Sequence, residues 1–314
     1  MLSAHQQLSA FKILTSGTLV TWIILLWIYY NVGLLGNWEE GSPEHEEIAP
    51  TTGIPMKIWY KLGPNGLSKQ SREWIDTCLR QNPTYQFQFM TDVSSDMYVK
   101  AHFASRPDIV DTYLSLPIPI LKADLLRYLL LFVEGGIWSD VDVSCEDIPI
   151  RDWIPNQYRE KAGLVVGWEF DIGWGDNVVR QFATWMMMAK PRSPHLLVVI
   201  DDILEAVHRK TEEYNVTISG LTLKMIGDVV DFTGPRRMTN SVLKSLAASL
   251  DVNKLEVRSF AGLEEEKLVG DVLILPGYSF AASSNQYERN QTHLVQKLVT
   301  HHFAGSWKND RGGE

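Results

Sequence analysis

The sequence predicts an α/β fold in which helices cover both faces of a central sheet. Strand-like and helix-like segments alternate from about residue 56 onward. An amphipathic helical pattern at 121–128 leads through Gly135-Gly136 into a short buried strand. That strand ends in Asp140-Val141-Asp142, and ligands of open α/β sheets gather beyond the carboxyl ends of strands. These three observations predict a functional site at one edge of the sheet.

The segments before Gly135 each carry a local pattern. Tyr85-Gln-Phe-Gln-Phe89 alternates apolar and polar residues, as a half-buried strand does. Asn82-Pro83 ends the preceding helical pattern, because the residue before a proline disfavours the α conformation. We therefore predict strands at 56–60 and 85–89, and helices at 71–79, near 95–104, at 107–115 and at 121–128.

The segments after the aspartates continue the alternation as one catalytic domain over 55–314. Pro191 and Pro194 interrupt a helical pattern, and Thr233-Gly-Pro235 begins another. We predict strands at 163–168, 268–275 and 298–303, and helices near 176–189, 194–212 and 236–249.

A membrane anchor is predicted before this domain. Residues 13–38 include no charged side chain, and a membrane-spanning helix needs about 20 mostly apolar residues. A cleaved signal peptide is the alternative, but its apolar region runs only about 7–15 residues and ends at a small-x-small site. We favour an uncleaved type II anchor, since Lys12 precedes the segment and glutamates follow it. The predicted order is a cytosolic tail at 1–12, a transmembrane signal anchor at 13–37 and a lumenal stem at 38–54.

The composition limits the compartment and the partners. A net charge of −9 without a basic stripe argues against nucleic-acid binding. Asn215-Val-Thr217 and Asn290-Gln-Thr292 are acceptor sequons for N-glycosylation, as a lumenal domain would use. The two cysteines, Cys78 and Cys145, form either one disulfide or two buried thiols.

Asp140 and Asp142 predict a metal site. In a strand, residues two apart face the same side, so both carboxylates converge. Two like charges in apolar surroundings repel unless a cation lies between them, and oxygen ligands favour Mg²⁺, Mn²⁺ or Ca²⁺ over zinc. The alternatives are two solvated turn aspartates and a glycoside hydrolase, whose carboxylates flank a scissile bond about 5–9 Å apart. An adjacent pair on one face fits a metal better.

The chain resembles a known family. Lys122-Ala-Asp-Leu-Leu-Arg-Tyr128, followed by Glu134-Gly-Gly-Ile-Trp-Ser-Asp-Val-Asp142, is similar to the core of family 32 glycosyltransferases, in particular fungal initiation-specific α-1,6-mannosyltransferases of the Golgi. The resemblance implies a single Rossmann-like, A-type nucleotide-sugar transferase domain, a GDP-mannose donor, Mn²⁺ or another divalent cation, and retention of the anomeric configuration. Weaker matches extend it over 54–307: Ile54–Trp59, Asn82–Tyr85, Arg106–Val110, Trp153–Tyr158, Trp185–Pro194, Thr233–Pro235 and His301–Phe303.

The resemblance also assigns roles to the acidic and basic residues. Asp142 would bind the metal directly, and Asp140 would bind it indirectly or contact ribose and sugar hydroxyls. Asp124 and Arg127 would grip the donor sugar; the alternative is a surface ion pair, which stabilises little. The resemblance thus implies that Asp140 and Asp142 are catalytic residues. It implies the same for Asp124 and Arg127.

The remaining candidates are aromatic, histidine and serine side chains. His301 is preferred as a metal ligand over His302, since neighbours on a strand face opposite sides; a core histidine is the alternative. Trp59 would stack on guanine or belong to the core. Ser306 and Trp307 would close over the donor diphosphate.

The predicted partners are GDP-mannose, a glycan, glycoprotein or glycolipid acceptor, and other transferases in a Golgi complex. Mannosyl transfer to inositol-phosphoceramide is one alternative. A membrane-anchored carbohydrate-binding protein without catalysis is another. For the chemistry, we prefer front-face departure and attack over a covalent glycosyl-enzyme, because no carboxylate is marked by the sequence as a nucleophile.

Overall fold

The computed structural model describes residues 53–174, 179–286 and 295–305, which lie in a compact unit formed by residues 51–314. The predicted tail, anchor and most of the stem lie outside these residues. Within the described ranges, no helix is both long enough and apolar enough to cross a bilayer.

A mixed sheet forms the centre of this unit. Its strand order is β2-β1-β3-β7-β5-β9-β8, with β6 paired to β5, and a separate two-stranded sheet pairs β10 with β4. The strands are β1 Lys57–Lys61, β2 Gln86–Met90, β3 Gly136–Ser139, β4 Val143–Cys145, β5 Leu164–Phe170, β6 Gln181–Phe182, β7 Met186–Ala189, β8 Lys267–Val269, β9 Val272–Leu275 and β10 Val299–His301.

Helices pack against both faces of the sheet, as predicted. Along β1 and β3, Trp59 and Trp138 are paired and face one core, whereas Ile58 and Ile137 are paired and face the other. The helices are α1 Lys69–Gln81, α2 Asp92–His102, α3 Pro107–Ser115, α4 Pro119–Glu134, α5 Pro194–Tyr214, α6 Leu223–Ile226, α7 Val229–Phe232, α8 Pro235–Ser249 and α9 Gly277–Ala281, with 3₁₀ turns at Ile150–Asp152, Ile218–Gly220, Val257–Phe260 and Ala282–Ser284.

Strand direction places several strand ends at one edge. β1, β2 and β3 run parallel to one another, and β5 runs parallel to β9. β7 lies antiparallel between β3 and β5, so β3 and β5 end at the same edge of the sheet. The residues after β3, those at the end of β5 and those just before β7 are therefore neighbours.

Two glycines join α4 to β3 in a turn that a residue with a side chain could adopt only with backbone strain and a steric clash. Gly135 and Gly136 have φ angles of 67° and 92°, a region that side-chain-bearing residues rarely adopt. A Cβ atom on Gly136 would lie 2.5 Å from the carbonyl oxygen of Lys57, and one on Gly135 would lie 2.7 Å from that of Ala189. The turn thus lets β3 start against β1 and fixes where its carboxyl end falls.

One predicted helix, near 176–189, is wrong. Its described part forms β6 and β7 instead, and residues 175–178 lie outside the described ranges. The run from Phe182 to Ala189 is buried throughout and carries no polar face, so periodicity could not distinguish a central strand from a buried helix. The predicted strand at 268–275 is a hairpin, β8 and β9, with Gly270 at its turn.

Cys78 and Cys145 form a disulfide, which decides between the two predicted states. The bond links α1 to β4, with the two Cα atoms 4.8 Å apart. The backbone N–H of Cys145 also donates a hydrogen bond of 2.8 Å to Oγ1 of Thr77. These contacts hold the small β4-β10 sheet against α1.

Candidate active site

Asp140 and Asp142 lie in the turn between β3 and β4, so the predicted strand placement is wrong, since β3 ends at Ser139. The backbone N–H of Asp140 donates to the carbonyl of Trp185 at 2.8 Å, and that of Val143 donates to the carbonyl of Asp140 at 3.3 Å. The carboxylates nevertheless converge: ligand atoms of Asp140, Asp142 and His301 all lie within 4.8 Å of one another. The turn thus brings the two carboxylates together, as strand alternation was expected to do.

His301 faces the two carboxylates from β10, which pairs with β4. Its Nε2 atom lies 3.3 Å from Oδ1 of Asp142. The Trp185 ring stacks on the imidazole, with centroids 4.8 Å apart, and Phe303 packs on it at 4.1 Å. The imidazole is thus held by contacts with two aromatic rings, and its buried Nδ1 atom has no hydrogen-bond partner among the described residues.

His302 points away from the carboxylates, as strand alternation predicts. Its Nε2 atom is 2.8 Å from Oγ of Ser144, and its ring stacks on Trp74 with a centroid distance of 4.2 Å. Its backbone N–H donates to the carbonyl of Asp142 at 2.9 Å. His302 therefore supports the turn, whereas His301 completes the cluster.

The two carboxylates differ in electrostatics. Burial raises the pKa of Asp140 above the ordinary carboxyl value, although Arg127 opposes the shift. Burial also acts on Asp142, but the hydrogen bond and charge of His301 and the backbone N–H of Ala304 outweigh it and lower its pKa. The side chains remain 29% and 14% exposed, so the cluster opens to the surface.

Asp124 and Arg127 form a buried ion pair on α4, so the surface-pair alternative is excluded. Arg127 Nη2 lies 2.8 Å from Oδ1 of Asp124, and each side chain is 5% exposed. The hydroxyl of Thr233 donates to Oδ2 of Asp124 at 2.7 Å, and Arg127 Nη1 donates to the carbonyl of Thr184 at 2.6 Å. Arg127 Nη1 also lies 3.7 Å from Oδ1 of Asp140, which joins this pair to the metal-ligand candidates.

Burial and the neighbouring charges act in opposite directions on the pKa values of this pair. It raises the pKa of Asp124, with Arg127 and Thr233 opposing the shift. For Arg127, burial disfavours the charge, but Asp140 and Asp124 outweigh it and raise the pKa. The site therefore contains a buried guanidinium group, that of Arg127, which lies between Asp124 and Asp140.

Trp138 is a site residue that pattern analysis missed. Its Nε1 donates to Oδ1 of Asp140 at 2.7 Å, and the guanidinium carbon of Arg127 lies 5.1 Å from the centroid of its ring. Trp138 is 1% exposed and belongs to the core through its ring. The only sequence signal was its position two residues before Asp140.

Trp59 is a core residue, the second of its two predicted roles. It is 1% exposed, its Nε1 donates to the carbonyl of Gly135 at 3.0 Å, and Lys57 Nζ lies 3.7 Å from its ring centroid. No face of the ring is free to stack on guanine, so the donor-binding assignment of Trp59 is wrong. Ser306 and Trp307 lie outside the described residues.

A further acidic residue, Glu169, lies at the carboxyl end of β5 on the same edge. It is 8% exposed, and Gln181 Nε2 donates to its Oε2 at 2.8 Å. Burial raises its pKa, opposed by the hydrogen bond from Gln181, the charge of His301 and a side-chain hydrogen bond from Trp185. In the sequence, the only sign of Glu169 is its position just after the predicted buried strand at 163–168. That position becomes informative only when the structure shows β5 beside β7.

The donor set suits a divalent cation. Two carboxylates and one imidazole converge from the turn and β10, and the buried Nδ1 of His301 lacks a partner. Carboxylate oxygens are the preferred ligands of hard divalent ions, and imidazole is compatible with them. Asp140, Asp142 and His301 are therefore the residues that would hold such an ion.

Comparison with known proteins places the chain in a family. The model of the family described as "Glycosyltransferase sugar-binding region containing DXD motif" matches residues 68–160. The initiation-specific alpha-1,6-mannosyltransferase of Candida albicans is 31% identical over 289 residues, covering 82% of this chain and 73% of that protein. Its Schizosaccharomyces pombe counterpart is 30% identical, covering 84% and 66%.

Shorter and structural matches accompany these. A mannosyl phosphorylinositol ceramide synthase of Saccharomyces cerevisiae is 33% identical over 98 residues, covering 31% of this chain and 25% of that protein. Among solved structures, the catalytic domain of alpha-toxin from Clostridium novyi aligns with a TM-score of 0.42 and 10% identity, covering 78% of this chain and 81% of that one. On the extended identity to the fungal enzymes, the chain belongs to the family 32 glycosyltransferases, whose sugar-binding region contains the DXD motif.

Proposed function

We propose that this chain transfers mannose from GDP-mannose to a glycan acceptor, with retention, as an α-1,6-mannosyl transfer in N-glycan outer-chain synthesis. The observation that carries the proposal is the junction of the Asp140–Asp142–His301 cluster with the Asp124–Arg127 pair, through the 3.7 Å approach of Arg127 to Asp140. The identity to fungal initiation-specific mannosyltransferases supports mannose as the sugar.

The residues at this junction bind and orient the donor. Asp140, Asp142 and His301 hold the divalent cation, Mn²⁺ in this proposal, which supplies Lewis-acid neutralisation of the donor diphosphate when bound. Asp124 and Arg127 are held rigidly by Thr233 and Thr184, so their free edges can bind sugar hydroxyls without reorganising. Trp138 fixes the rotamer of Asp140 between the two groups.

We favour a front-face route for the chemistry. The carbon–oxygen bond to the diphosphate breaks as the acceptor hydroxyl forms its bond on the same face. The acceptor proton then passes to the departing diphosphate oxygen, so no protein base is required. Arg127, buried and cationic beside Asp140, lies where it can stabilise developing negative charge.

The proposed location is the Golgi membrane, with a single-pass type II anchor at 13–37 and the catalytic domain in the lumen. The Cys78–Cys145 disulfide supports an oxidising compartment. The exposed sequon at Asn215 is accessible for the glycosylation that such a compartment performs. Assembly with other transferases in the Golgi belongs to the same proposal. The donor-site roles of Ser306 and Trp307, and a glycan on Asn290, remain part of it.

The test is an assay of the purified full-length chain in detergent with Mn²⁺ and a panel of nucleotide sugars. We expect turnover of GDP-mannose, loss of turnover in Asp142→Ala, and no loss in Asp152→Ala, an exposed carboxylate on the 3₁₀ turn after β4. Turnover of another donor alone, or full activity of Asp142→Ala, would contradict the proposal.

The acceptor is decided by the same assay. High-mannose glycan and inositol-phosphoceramide are supplied in parallel, because a mannosyl phosphorylinositol ceramide synthase is among the relatives, 33% identical over 98 residues. We expect transfer to the glycan. Transfer only to the lipid would replace the first proposal by mannosyl transfer to inositol-phosphoceramide.

A further inference from the structure

A row of aromatic rings leads from the core to the candidate active site. Its members follow one another in contact, with successive ring centroids 6.0, 5.8, 4.8 and 4.1 Å apart: Trp153, Phe280, Trp185, His301 and Phe303. The first three residues are at most 3% exposed, whereas Phe303 is 45% exposed. The row therefore reaches the surface at Phe303, directly after the metal-ligand candidate His301.

Phe303 has an unusual backbone conformation. Its φ angle is 49°, in the left-handed region that a bulky side chain rarely adopts. The backbone N–H groups on either side of it, those of His302 and Ala304, donate to the carbonyl and to Oδ2 of Asp142, each at 2.9 Å. A glycine could make this turn without strain. The turn thus explains the conformation of residue 303 but not the phenylalanine side chain.

Location and backbone together distinguish Phe303 from other exposed apolar residues. Among the described residues that carry a side chain, it is the only apolar one with a positive φ angle. Phe87, which is 51% exposed, lies instead in the regular edge strand β2 and packs on Phe89. Residues with strained backbones cluster at active sites and ligand clamps. The part of the Phe303 ring that does not pack on His301 is open beside the metal-ligand candidates.

An open aromatic ring suits a sugar as its ligand. The C–H groups on one face of a hexose carry a slight positive charge, and the face of an aromatic ring is negative. Stacking of the two removes apolar area of both from water and leaves the sugar hydroxyls free for polar neighbours. Phe303 offers such a ring face at the surface.

The position of Phe303 favours the acceptor sugar over the parts of the donor. The guanine base is separated from the diphosphate by the ribose, whereas Phe303 contacts the imidazole of a metal-ligand candidate. The donor hexose is assigned to the Asp124–Arg127 pair, which approaches the cluster at Asp140. His301 approaches the cluster at Asp142 instead. The attacking hydroxyl must lie beside the diphosphate, so the side of the cluster formed by His301 is open to the acceptor.

We propose that the exposed face of Phe303 stacks on a hexose of the glycan acceptor. The inference rests on the proposed function, because it assumes that a sugar donor occupies the cluster. Phe303 contributes affinity for the acceptor and takes no part in breaking or forming bonds. A ligand that stacks there lies next to the donor diphosphate.

Two substitutions at Phe303 separate the aromatic ring from its surroundings. Phe303→Leu keeps an apolar side chain against His301 and the same backbone conformation, but it removes the flat ring. Phe303→Tyr keeps the ring. Phe87→Leu is the matched control, because it removes a similarly exposed phenylalanine from β2, which is two strands away from β3.

The experiment is calorimetric binding of a high-mannose glycan to the full-length chain in detergent, loaded with Mn²⁺ and GDP. For Phe303→Leu we expect the glycan affinity to fall about five- to fiftyfold, through loss of the stacking contact and of the area that it buries. Phe303→Tyr and Phe87→Leu should bind the glycan as the parent chain does. The affinities for Mn²⁺, GDP and GDP-mannose should change by less than about twofold in all three variants, because the donor does not touch the ring.

Four results would overturn the inference. The first is an unchanged glycan affinity in Phe303→Leu. The second is an equal loss of Mn²⁺ or GDP affinity, which would limit Phe303 to packing on His301. The third is a loss confined to GDP-mannose, which would assign the ring to the donor hexose. The fourth is a parent chain that binds no glycan, even if it turns over GDP-mannose.

Failure of the proposed function gives a different result. A parent chain that binds the glycan and loses it in Phe303→Leu, but does not turn over GDP-mannose, would refute the proposed donor. The assignment of Phe303 to a saccharide would stand in that case.

Discussion

Nε2 of His301 lies 3.3 Å from Oδ1 of Asp142, and this contact joins β10 to the turn that follows β3. The backbone reinforces it, because the N–H groups of His302 and Ala304 donate to the carbonyl and to Oδ2 of Asp142. The metal-ligand candidates are thus assembled by the pairing of β4 with β10. A substitution in β10 should therefore act on the cation affinity.

His301→Ala should weaken Mn²⁺ binding by more than about a hundredfold, because loss of a direct ligand should exceed the 10–100-fold loss seen when an outer-shell partner is removed. His302→Ala is the matched control on the neighbouring position; it removes only the stacking on Trp74 and the contact to Ser144. Mn²⁺ titration with calorimetric detection measures both. Equal losses of Mn²⁺ affinity in the two variants would show that β10 affects the site only through its pairing with β4. His301 would then not be a metal ligand.

Arg127→Ala should lower the free energy of unfolding by about 3–5 kcal/mol, because it leaves the buried carboxylate of Asp124 without its counter-charge. Lys122→Ala on the same helix removes the partly exposed ion pair with Asp96. This variant should change the free energy of unfolding by less than about 1 kcal/mol. Urea unfolding followed by tryptophan fluorescence compares the two. A loss in Arg127→Ala as small as that in Lys122→Ala would mean that Asp124 is protonated when Arg127 is absent.

The sequence was informative where local chemistry dictates the structure. The apolar pattern of α4 and the two glycines after it predicted the helix and the turn. The convergence of Asp140 with Asp142 was predicted from strand alternation, but a turn produces it. The fully buried strand β7 has no polar alternation and was mistaken for a helix. Glu169 and Trp185 gained significance only from the antiparallel placement of β7 between β3 and β5, which no local pattern encodes.

Acid should destabilise the fold partly through Asp271. Its Oδ1 lies 2.7 Å from Nε2 of the fully buried His195, and this hydrogen bond is the main reason why the pKa of Asp271 is below its ordinary value of 3.8. A carboxyl group with a lower pKa in the folded state stabilises the fold above its unfolded pKa, and that stability is lost as the pH falls through the folded value.

Asp271→Asn should therefore flatten the acid limb of a plot of unfolding free energy against pH, at and below about pH 4. His195→Phe keeps a ring but lacks the N–H that bonds Asp271, so it should flatten the acid limb equally, with no further effect in the double variant. Urea unfolding at a series of pH values supplies the slopes. An acid limb as steep in Asp271→Asn as in the parent would assign the pH dependence to other carboxylates.

Loss of the disulfide should loosen the site as well as the fold. The bond between Cys78 and Cys145 closes a loop with a sequence separation of 67 and anchors β4, which pairs with the strand that carries His301. The double variant Cys78→Ser/Cys145→Ser should lose roughly 2–4 kcal/mol of unfolding free energy. Mn²⁺ affinity should fall in parallel, and reductant should change the parent but not the double variant. Unchanged Mn²⁺ affinity would show that β4 keeps its place without the bond.

Asn215 should carry an N-linked glycan when the chain is expressed in a eukaryotic secretory pathway. The residue ends α5 in a left-handed conformation with φ 51°, and both Asn215 and Thr217 are exposed, so an oligosaccharyltransferase can reach the sequon. Asn215→Gln and Thr217→Ala should each remove the same glycosidase-sensitive mass, whereas Asn240→Gln, which lies in no sequon, should not. Because glycans are added only on the lumenal side, an unmodified Asn215 together with reduced Cys78 and Cys145 would contradict a lumenal catalytic domain.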